Sequence, residues 1–518
     1  MIKLNFFYIK LDLLWGRFYD SASIEEVVMS LIRRRLIFQS GERYTCLVSE
    51  DGIPDFWTTL FLTTHYRFSS SETMRAVVNT LAHFSVWDGA YKAPFYVRIL
   101  AIASAVESLP AKQFKEPNFF TVTEAQSLAR HCKLTTNAAR RNFKKSTKKV
   151  VSLTSGLPVT VIPDPVVASK HHRNRLTVIS QFLNFFVEVS LRQFPHYAYY
   201  LDAAEKMSKL ILKQKPKRQG SRNAQTDPDK KAPPPEVFDE IMRIAHPDSS
   251  DNPFTKLVSK RNYLVVKLLY DTGIRAGELL QLKVRDVDLG GSVISIVRRH
   301  DDIEDKWRAL EPNAKTLERD IPIPEELTNL LREYIFGERR QMVDRIPKSK
   351  GHGFLFVSSK ITTGQPLSIN QLSNLILKLA CDKSLSSYIE AQGIRISKAA
   401  SPHSYRHNRN NQISMIIDLI NEKARRESRL HDVISEKKEK EIRMYLMGHK
   451  SEKSAEVYNL RHTKSVAEKL NLKLMEEVSE TMEKTQNSGR FQTDKGEMSL
   501  LASQVLRTVS LIQDGKGA

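Results

Sequence analysis

The sequence has few cysteines and no long hydrophobic run. Its 518 residues include three cysteines, Cys46, Cys132 and Cys381, and their wide separation excludes a disulfide framework and a cysteine-based zinc site. Nowhere are there about 18 consecutive apolar residues, the length needed to span a bilayer. The partly apolar N-terminus is interrupted by Lys10 and Asp12, unlike a signal peptide. We therefore expect a cytoplasmic protein without a membrane partner.

Two kinds of cofactor site are also missing. No GxxxxGK[ST] phosphate loop occurs, so ATP-driven work is not indicated. His403 and His407 are four positions apart, as metal ligands can be, but neither an HExxH motif nor a carboxylate cluster accompanies them. We expect no metal and no nucleotide cofactor.

Positive charge is the most prominent property that is present. Lysine and arginine number 80 against 59 aspartate and glutamate residues, a formal net charge of +21. This excess indicates a polyanionic partner, either nucleic acid or an anionic membrane surface. A hydrophobic content of 41%, with only 20 glycines and 21 prolines, predicts a globular core and excludes collagen-like and wholly disordered chains.

The chain divides at one polar, proline-rich segment, KQKPKRQGSRNAQTDPDKKAPPP. It holds almost no apolar residues and predicts an extended connector. Its cations are either solvated or follow a DNA backbone. The predicted parts are an N-terminal extension, a helical domain, the basic connector, a second domain and a tail with a possible trans-docking segment, at residues 1–40, 41–212, 213–235, 236–465 and 466–518.

Periodicity predicts a mainly α-helical fold with a small β-sheet. Apolar residues recur at helical steps over residues 74–84, after Ser69 and Glu72 in capping-box spacing, and again over residues 176–186. Candidate DNA contacts lie at the start of the second of these helices and in the connector: Arg173, Arg175, Lys215, Lys217, Arg218 and Arg222.

The second domain combines helices with two short strands. A buried helix is predicted to end near Gly273 and a short helix to begin at about Arg275. Two strands are predicted at residues 292–297 and 319–323. Further helices are predicted at residues 324–336, 368–379, 401–420 and 442–447, with a solvated, highly charged helical insertion at residues 422–443.

Four short motifs occur in this domain. They read TGIRAGELLQL, AKTLERDIPIP, SPHSYRHNRNN and MGHKSEKSAEVY, at residues 272–282, 314–324, 401–411 and 447–458. Each is weak alone, but in this order they resemble the catalytic domain of the tyrosine recombinase (phage integrase) family. The resemblance covers residues 235–461 and implies a helical core-binding domain and a catalytic domain that close as a clamp around duplex DNA.

Attack on a DNA phosphodiester increases the negative charge on the non-bridging oxygens, which fixed arginines stabilise. By the resemblance, Arg275 and Arg406 hold the phosphate. His403, one helical turn before Arg406, helps to move protons. The resemblance also places His449 of the GHKS turn in the site and gives Glu278 the role of orienting Arg275.

Tyr458 is the expected nucleophile. A phenol with a pKa near ~10 must be placed in line and must lose its proton as it attacks. Tyr458 lies nine residues after His449, the spacing that the family shows. Three rival tyrosines follow no GH turn: Tyr334, Tyr405 and Tyr445. The resemblance implies Lys315 as proton donor to the leaving 5′-oxygen, with Lys306 as competitor.

The resemblance implies DNA strand transfer through a 3′-phosphotyrosyl bond. The expected assembly is a homotetramer on two duplexes, and the expected outcome is integration or excision of a mobile element. Two alternatives remain: a type IB topoisomerase with the same active-site chemistry, and a DNA-binding protein without catalysis. The target sequence is not readable, because base recognition depends on contacts that no motif reveals.

Overall fold

The computed structural model describes residues 31–91, 93–109, 117–146, 164–217, 228–314, 316–347, 351–359 and 363–449. In these ranges the fold is mainly α-helical with two small antiparallel sheets, as the sequence predicts. Within the same ranges, no helix combines the length and the apolar character needed to cross a membrane.

The first part of the described chain opens with a β-hairpin. Strand β1 (Ile32–Ile37) pairs antiparallel with β2 (Arg43–Val48), so that Ile32 lies opposite Val48 and Ile37 opposite Arg43. Strand β2 is buried throughout, whereas β1 is mostly exposed. The predicted boundary between residues 40 and 41 is therefore corrected, because it falls in the turn of this hairpin.

Helices make up the rest of the first part. Their bounds are α1 (Phe56–Tyr66), α2 (Ser71–Asp88), α3 (Phe95–Glu107), α4 (Val122–Lys133), α5 (Thr136–Ser146), α6 (Ser169–Ser190) and α7 (Tyr197–Lys213). Both predicted helices are present as α2 and α6. The N-cap of α2 is Ser70 and not Ser69, since the Ser70 hydroxyl accepts a hydrogen bond from the Thr73 amide at 3.3 Å.

The second part combines helices with a three-stranded sheet. Its elements are α8 (Pro235–Ala245), α9 (Lys256–Thr272), α10 (Ala276–Gln281), β3 (Val287–Asp288), β4 (Val293–Ile296), β5 (Arg319–Pro322), α11 (Glu325–Tyr334), α12 (Arg340–Val343), α13 (Ile369–Ala380), α14 (Lys383–Ala391), α15 (Pro402–Arg426) and α16 (Glu436–Met447). The strands are ordered β3-β4-β5. Both predicted strands are found, as β4 and β5, and the helix predicted to end near Gly273 is α9.

Two large hydrophobic cores lie in the described residues, one on each side of the connector. The first extends from Tyr44 to Ile211 and the second from Ala232 to Tyr405. A smaller cluster of Ile413, Ile417 and Met447 joins α15 to α16. The charged stretch 422–443 forms the end of α15 and the first two turns of α16, but residues 427–435 between them hold only a single 3-10 turn, so the predicted helical insertion is confirmed in part.

Candidate active site

Arg406 lies at the centre of the site and is fully buried. It projects from the first turns of α15, with Nη1 donating to the Gly273 carbonyl at 3.0 Å and Nη2 donating to the Met447 carbonyl. These carbonyls belong to the C-terminal ends of α9 and α16, where backbone acceptors lack helical partners and the helix dipole is negative. Arg406 therefore fixes two helix ends beside each other.

Arg275 occupies the N-cap position of α10. Its amide donates to Glu278 Oε2 at 3.0 Å, and its Nη1 lies 3.6 Å from Glu278 Oε1. The side chain is 23% exposed, and its buried Nη1 atom has no hydrogen-bond acceptor among the described residues. Such a partly open guanidinium has unused capacity to bind an anion.

Glu278 links Arg275 to the sheet. Its buried carboxylate accepts from Arg319 Nη2 at 3.0 Å and from the Thr316 hydroxyl. Burial opposes ionisation of Glu278, but the charge and hydrogen bond of Arg319 and the hydroxyl of Thr316 outweigh it, so the pKa of this carboxyl is lowered from its ordinary value. A charged Glu278 at this place agrees with the predicted orienting role.

Arg319 was missed as a site residue by the sequence reasoning. It begins β5 with its side chain buried, and its Nε donates to the Leu446 carbonyl at 3.0 Å. The burial of β5 alternates from Arg319 onward, so Arg319 and Ile321 share the inward face. That two-residue period in RDIPI was the available signal, because it places an arginine on the core side of a strand.

His449 follows the left-handed end of α16. Gly448 has φ 60°, and the His449 amide donates back to the Met444 carbonyl at 2.9 Å. The imidazole is buried. Burial first, and then nearby positive charge, lowers its pKa to about 3; the cations are Arg406, Arg275, Arg319 and Arg443. A neutral imidazole among these cations can accept a proton.

His403 lies on the first turn of α15, with its side chain at the protein surface. Partial burial, followed by the charges of nearby cations, lowers its pKa to about 4; these cations are Arg406, Arg275, Lys398 and Lys231. Its ring centroid is 4.9 Å from that of His407, one helical turn later. His403 is thus a neutral group near two of the cations that act on His449, Arg406 and Arg275.

Residues 235–414 match the model of the phage integrase family. This part of the chain is therefore similar to the phage integrases, a family of tyrosine recombinases. The tyrosine recombinase XerD of Halalkalibacterium halodurans is 26% identical over 178 residues, 34% of this chain and 47% of XerD. Transposase A of transposon Tn554 from Staphylococcus aureus is 25% identical over 122 residues, 23% of this chain and 30% of the transposase. The match therefore spans less than two thirds of either relative.

Two solved structures are also similar. The Tn1549 transposon integrase in complex with circular intermediate DNA aligns with 77% of this chain and 92% of its own, at 13% identity and a TM-score of 0.41. The XerH recombinase bound to difH aligns with 72% of this chain and 94% of its own, at 16% identity and a TM-score of 0.32.

In the second part of the described chain, five predicted residues lie close enough together that the charges of some shift the pKa values of others: Arg275, Glu278, His403, Arg406 and His449. Tyr458 and Lys315 lie outside the described residues. Both sequence neighbours of Lys315 are held inside the domain, since Ala314 is buried and the Thr316 hydroxyl donates to Glu278. The competitor Lys306 is exposed.

The three rival tyrosines of the second part of the chain differ in accessibility. Tyr405 is fully buried, with its ring centroid 4.9 Å from that of Phe238. Tyr334 is also buried, and its hydroxyl accepts from the Val357 amide at 3.3 Å. Tyr445 on α16 is 62% exposed. Both buried tyrosines belong to the hydrophobic core of this part, which leaves Tyr445 as the exposed rival to Tyr458.

The candidate DNA contacts also differ in accessibility. Arg175 is buried, and its Nη1 donates to the Leu134 carbonyl at 2.6 Å and to the Cys132 carbonyl at 3.0 Å. The prediction of a DNA contact at Arg175 is therefore corrected, because its guanidinium is used to join α6 to the end of α4. Among the others, Arg173 and Lys215 are half-buried, Lys217 is exposed, and Arg218 and Arg222 lie outside the described residues.

Proposed function

We propose that this protein is a site-specific DNA recombinase that cleaves and rejoins DNA through a 3′-phosphotyrosyl intermediate on Tyr458. The observation that carries the proposal is the cluster in which the charges of Arg275 and Arg406 act on two neutral histidines, with the Arg275 side chain 23% exposed. A cluster of this composition suits a phosphodiester that gains negative charge during attack.

The chemistry follows from the roles of these groups. The Tyr458 oxygen attacks the phosphorus, its proton passes to a neutral histidine, and the bond from phosphorus to the 5′-oxygen breaks. Lys315 supplies a proton to that leaving oxygen. Arg275 and Arg406 stabilise the charge on the non-bridging oxygens, an effect of about 3–4 kcal/mol per well-placed donor. The freed 5′-hydroxyl of a partner strand reverses these steps to rejoin the DNA.

The proposed partner is duplex DNA, gripped between the core-binding and catalytic domains with the connector crossing it. The net charge of +21 supports this. Strand exchange between two duplexes requires four cleavages, hence a proposed homotetramer. The relatives named as the XerD tyrosine recombinase and the Tn554 transposase support site-specific exchange and the integration or excision of a mobile element.

A nicked suicide duplex tests the nucleophile. Duplexes drawn from the flanks of the gene's own locus, nicked near each candidate site, are incubated with protein in EDTA. We expect a covalent adduct with the wild type and with Tyr445→Phe, the matched control at the exposed rival tyrosine, and none with Tyr458→Phe. An adduct that persists in Tyr458→Phe refutes the assignment. Efficient relaxation of supercoiled plasmid without any such site would instead indicate a topoisomerase.

A further inference from the structure

Arg43 connects the two parts of the chain through a buried ion pair. It begins β2 of the N-terminal hairpin, yet its Nη2 lies 3.0 Å from Asp305 Oδ2 in the second part. The side chains of Arg43 and Asp305 are only 3% and 1% exposed. Arg43 Nε also donates to the Arg308 carbonyl at 3.1 Å, and Nη1 lies 3.9 Å from Glu311 Oε1.

The hairpin turn fits closely against the same region. Gly41 has φ +90°, and a Cβ there would lie 2.4 Å from the Asp301 carbonyl oxygen. Only glycine allows both this backbone conformation and this approach. Because Arg43 and Gly41 both contact the segment that joins β4 to β5, the hairpin is docked and does not merely lie nearby. We name this segment, residues 297–318, the β4–β5 loop.

The β4–β5 loop is rich in carboxylates, and the catalytic domain neutralises most of them itself. Lys283 Nζ lies 2.8 Å from Asp302 and 3.1 Å from Glu304, and Arg308 Nε lies 2.9 Å from Asp305. Arg43 adds a charge from the other part of the chain. A buried ion pair has a desolvation cost that apolar contacts avoid. It therefore adds little to the strength of docking but favours one relative orientation of the two parts.

The far end of the β4–β5 loop lies against α10, the helix that Arg275 caps. The Asn313 backbone passes so close to Gly277 that a Cβ there would lie 2.3 Å from the Asn313 carbonyl oxygen. Gln281 at the end of α10 donates to the Pro312 carbonyl. With Thr316 held by Glu278, residues on both sides of Lys315 are fixed to the helix that carries Arg275.

We infer that Arg43 is a positioning residue for proton donation by Lys315. By docking the N-terminal hairpin in the β4–β5 loop, Arg43 holds the described residues that precede Lys315, so that release of the 5′-oxygen depends on the position of the N-terminal domain. The inference rests on the proposed function. It makes the N-terminal domain part of the catalytic arrangement and not only a grip on DNA.

A substrate with sulfur in place of the scissile 5′-oxygen separates this role from a general structural one. A thiol is acidic, with a pKa of about 8.5 for cysteine, so the sulfur leaves without receiving a proton. We expect Arg43→Ala and Asp305→Asn to slow single-turnover cleavage of the oxygen substrate at saturating DNA by about 10²-fold, a typical general-acid contribution. Both variants, like Lys315→Ala, should cleave the sulfur substrate at nearly the wild-type rate.

Arg67→Ala is the matched control. Arg67 forms an exposed ion pair with Glu42 beside the same hairpin, with Nε 3.0 Å from Oε1, and does not reach the β4–β5 loop in the contacts described. It should leave both rates unchanged. Equal slowing of Arg43→Ala on both substrates, or no slowing on either, would overturn the inference.

Hydrogen exchange distinguishes failure of the inference from failure of the proposed function. Amides of residues 300–314 should exchange at least tenfold faster in Arg43→Ala than in wild type or Arg67→Ala, whether or not DNA is cleaved. Unchanged exchange would show that Arg43 does not seat the β4–β5 loop. Absence of any covalent adduct in wild type, with exchange as expected, would refute the recombinase chemistry and leave the docking in place.

Discussion

The guanidinium of Arg319 lies against the buried carboxylate of Glu278, with Nη2 3.0 Å from Oε2. The same carboxylate accepts the Arg275 amide, and Arg319 Nε donates to the Leu446 carbonyl. One ion pair therefore joins the start of α10, the start of β5 and the end of α16. Since Arg275 lies at the first of these points and His449 just beyond the last, the pair sets the distance between the proposed phosphate-binding group and the proposed proton acceptor.

Arg319→Ala should lower the free energy of unfolding by about 3–5 kcal/mol, because it leaves a buried carboxylate without its main cation. The measurement is urea unfolding near neutral pH. Adding Glu278→Gln to that variant should recover part of the loss, since the uncompensated charge is removed. Arg340→Ala, at an exposed arginine whose Nε lies 4.0 Å from Asp344 one turn further along, should change stability by less than about 0.5 kcal/mol. Strictly additive effects of the first two changes would contradict this account.

Two glycines with the same backbone conformation provide a second test. Gly448 has φ 60° and Gly393 has φ 62°. A Cβ at Gly448 would lie 2.6 Å from Arg319 Nη1 and 3.1 Å from the Leu317 carbonyl oxygen, whereas nothing lies within 4 Å of a Cβ at Gly393. Gly393→Ala should cost only the left-handed strain, about 1–2 kcal/mol.

Gly448→Ala should cost more than Gly393→Ala and should also slow adduct formation, because the new methyl group displaces Arg319 from Glu278. We expect roughly a tenfold or greater loss of rate, equivalent to about 1.4 kcal/mol or more in the barrier. The readouts are urea unfolding and single-turnover cleavage of the suicide duplex. Equal stability losses, with cleavage unaffected in both variants, would show that the contact at Gly448 has no role in the site.

Local signals in the sequence were sufficient to predict the helix ends that form the backbone of the candidate site. Gly273 ends α9 and Arg275 caps α10 because glycine tolerates a positive φ and the following Glu278 completes the cap. The spacing of His403 and Arg406 placed both on one helix. These features depend on residues within a few positions of one another, and the structure confirms them.

Long-range contacts could not be predicted in this way. Arg175 lies at the start of a row of apolar residues, where a surface cation is expected. In the structure its guanidinium instead donates to the carbonyls of residues 132 and 134, which lie about 40 positions earlier in the chain. The contact between Arg43 and Asp305 spans 262 positions. Strand β1 was missed because its sequence IRRRLI has three adjacent arginines and no alternation of apolar and polar residues.

The neutral state of His449 predicts a dependence of stability on pH. In the unfolded chain a histidine has a pKa near 6.5, whereas the pKa of folded His449 is lowered to about 3. Below about pH 6.5 the unfolded state therefore binds the extra proton, and this contribution to stability is lost as the pH falls from 6.5 towards 3, at up to about 1.4 kcal/mol per unit.

His449→Gln removes that titration, so its free energy of unfolding should fall less steeply than that of wild type between pH 6 and pH 4. Urea unfolding at half-unit intervals of pH measures both slopes. Parallel curves for the two proteins would mean that His449 is already protonated in the folded state, contrary to its burial among arginines.

Substitution of Arg175 should affect folding, whereas substitution of Lys217 should affect DNA binding. Arg175→Ala leaves the buried carbonyls of Cys132 and Leu134 without their donor, and each such loss costs about 1–3 kcal/mol. Lys217 is exposed at the start of the connector and has no comparable structural role among the contacts described. Its removal should leave unfolding unchanged, while Arg175→Ala should destabilise the N-terminal domain.

The two substitutions should have the opposite order of effects on DNA binding. Each cation that neutralises a phosphate contributes nearly one unit to the slope of log K against log salt, so Lys217→Ala should reduce that slope by about 1. Arg175→Ala, measured at a temperature where it remains folded, should keep the wild-type slope because its guanidinium points into the domain. Fluorescence anisotropy with a labelled duplex between 50 and 200 mM salt provides both slopes. A reduced slope in Arg175→Ala alone would mean that the DNA-bound protein exposes this arginine and that α6 is repositioned on binding.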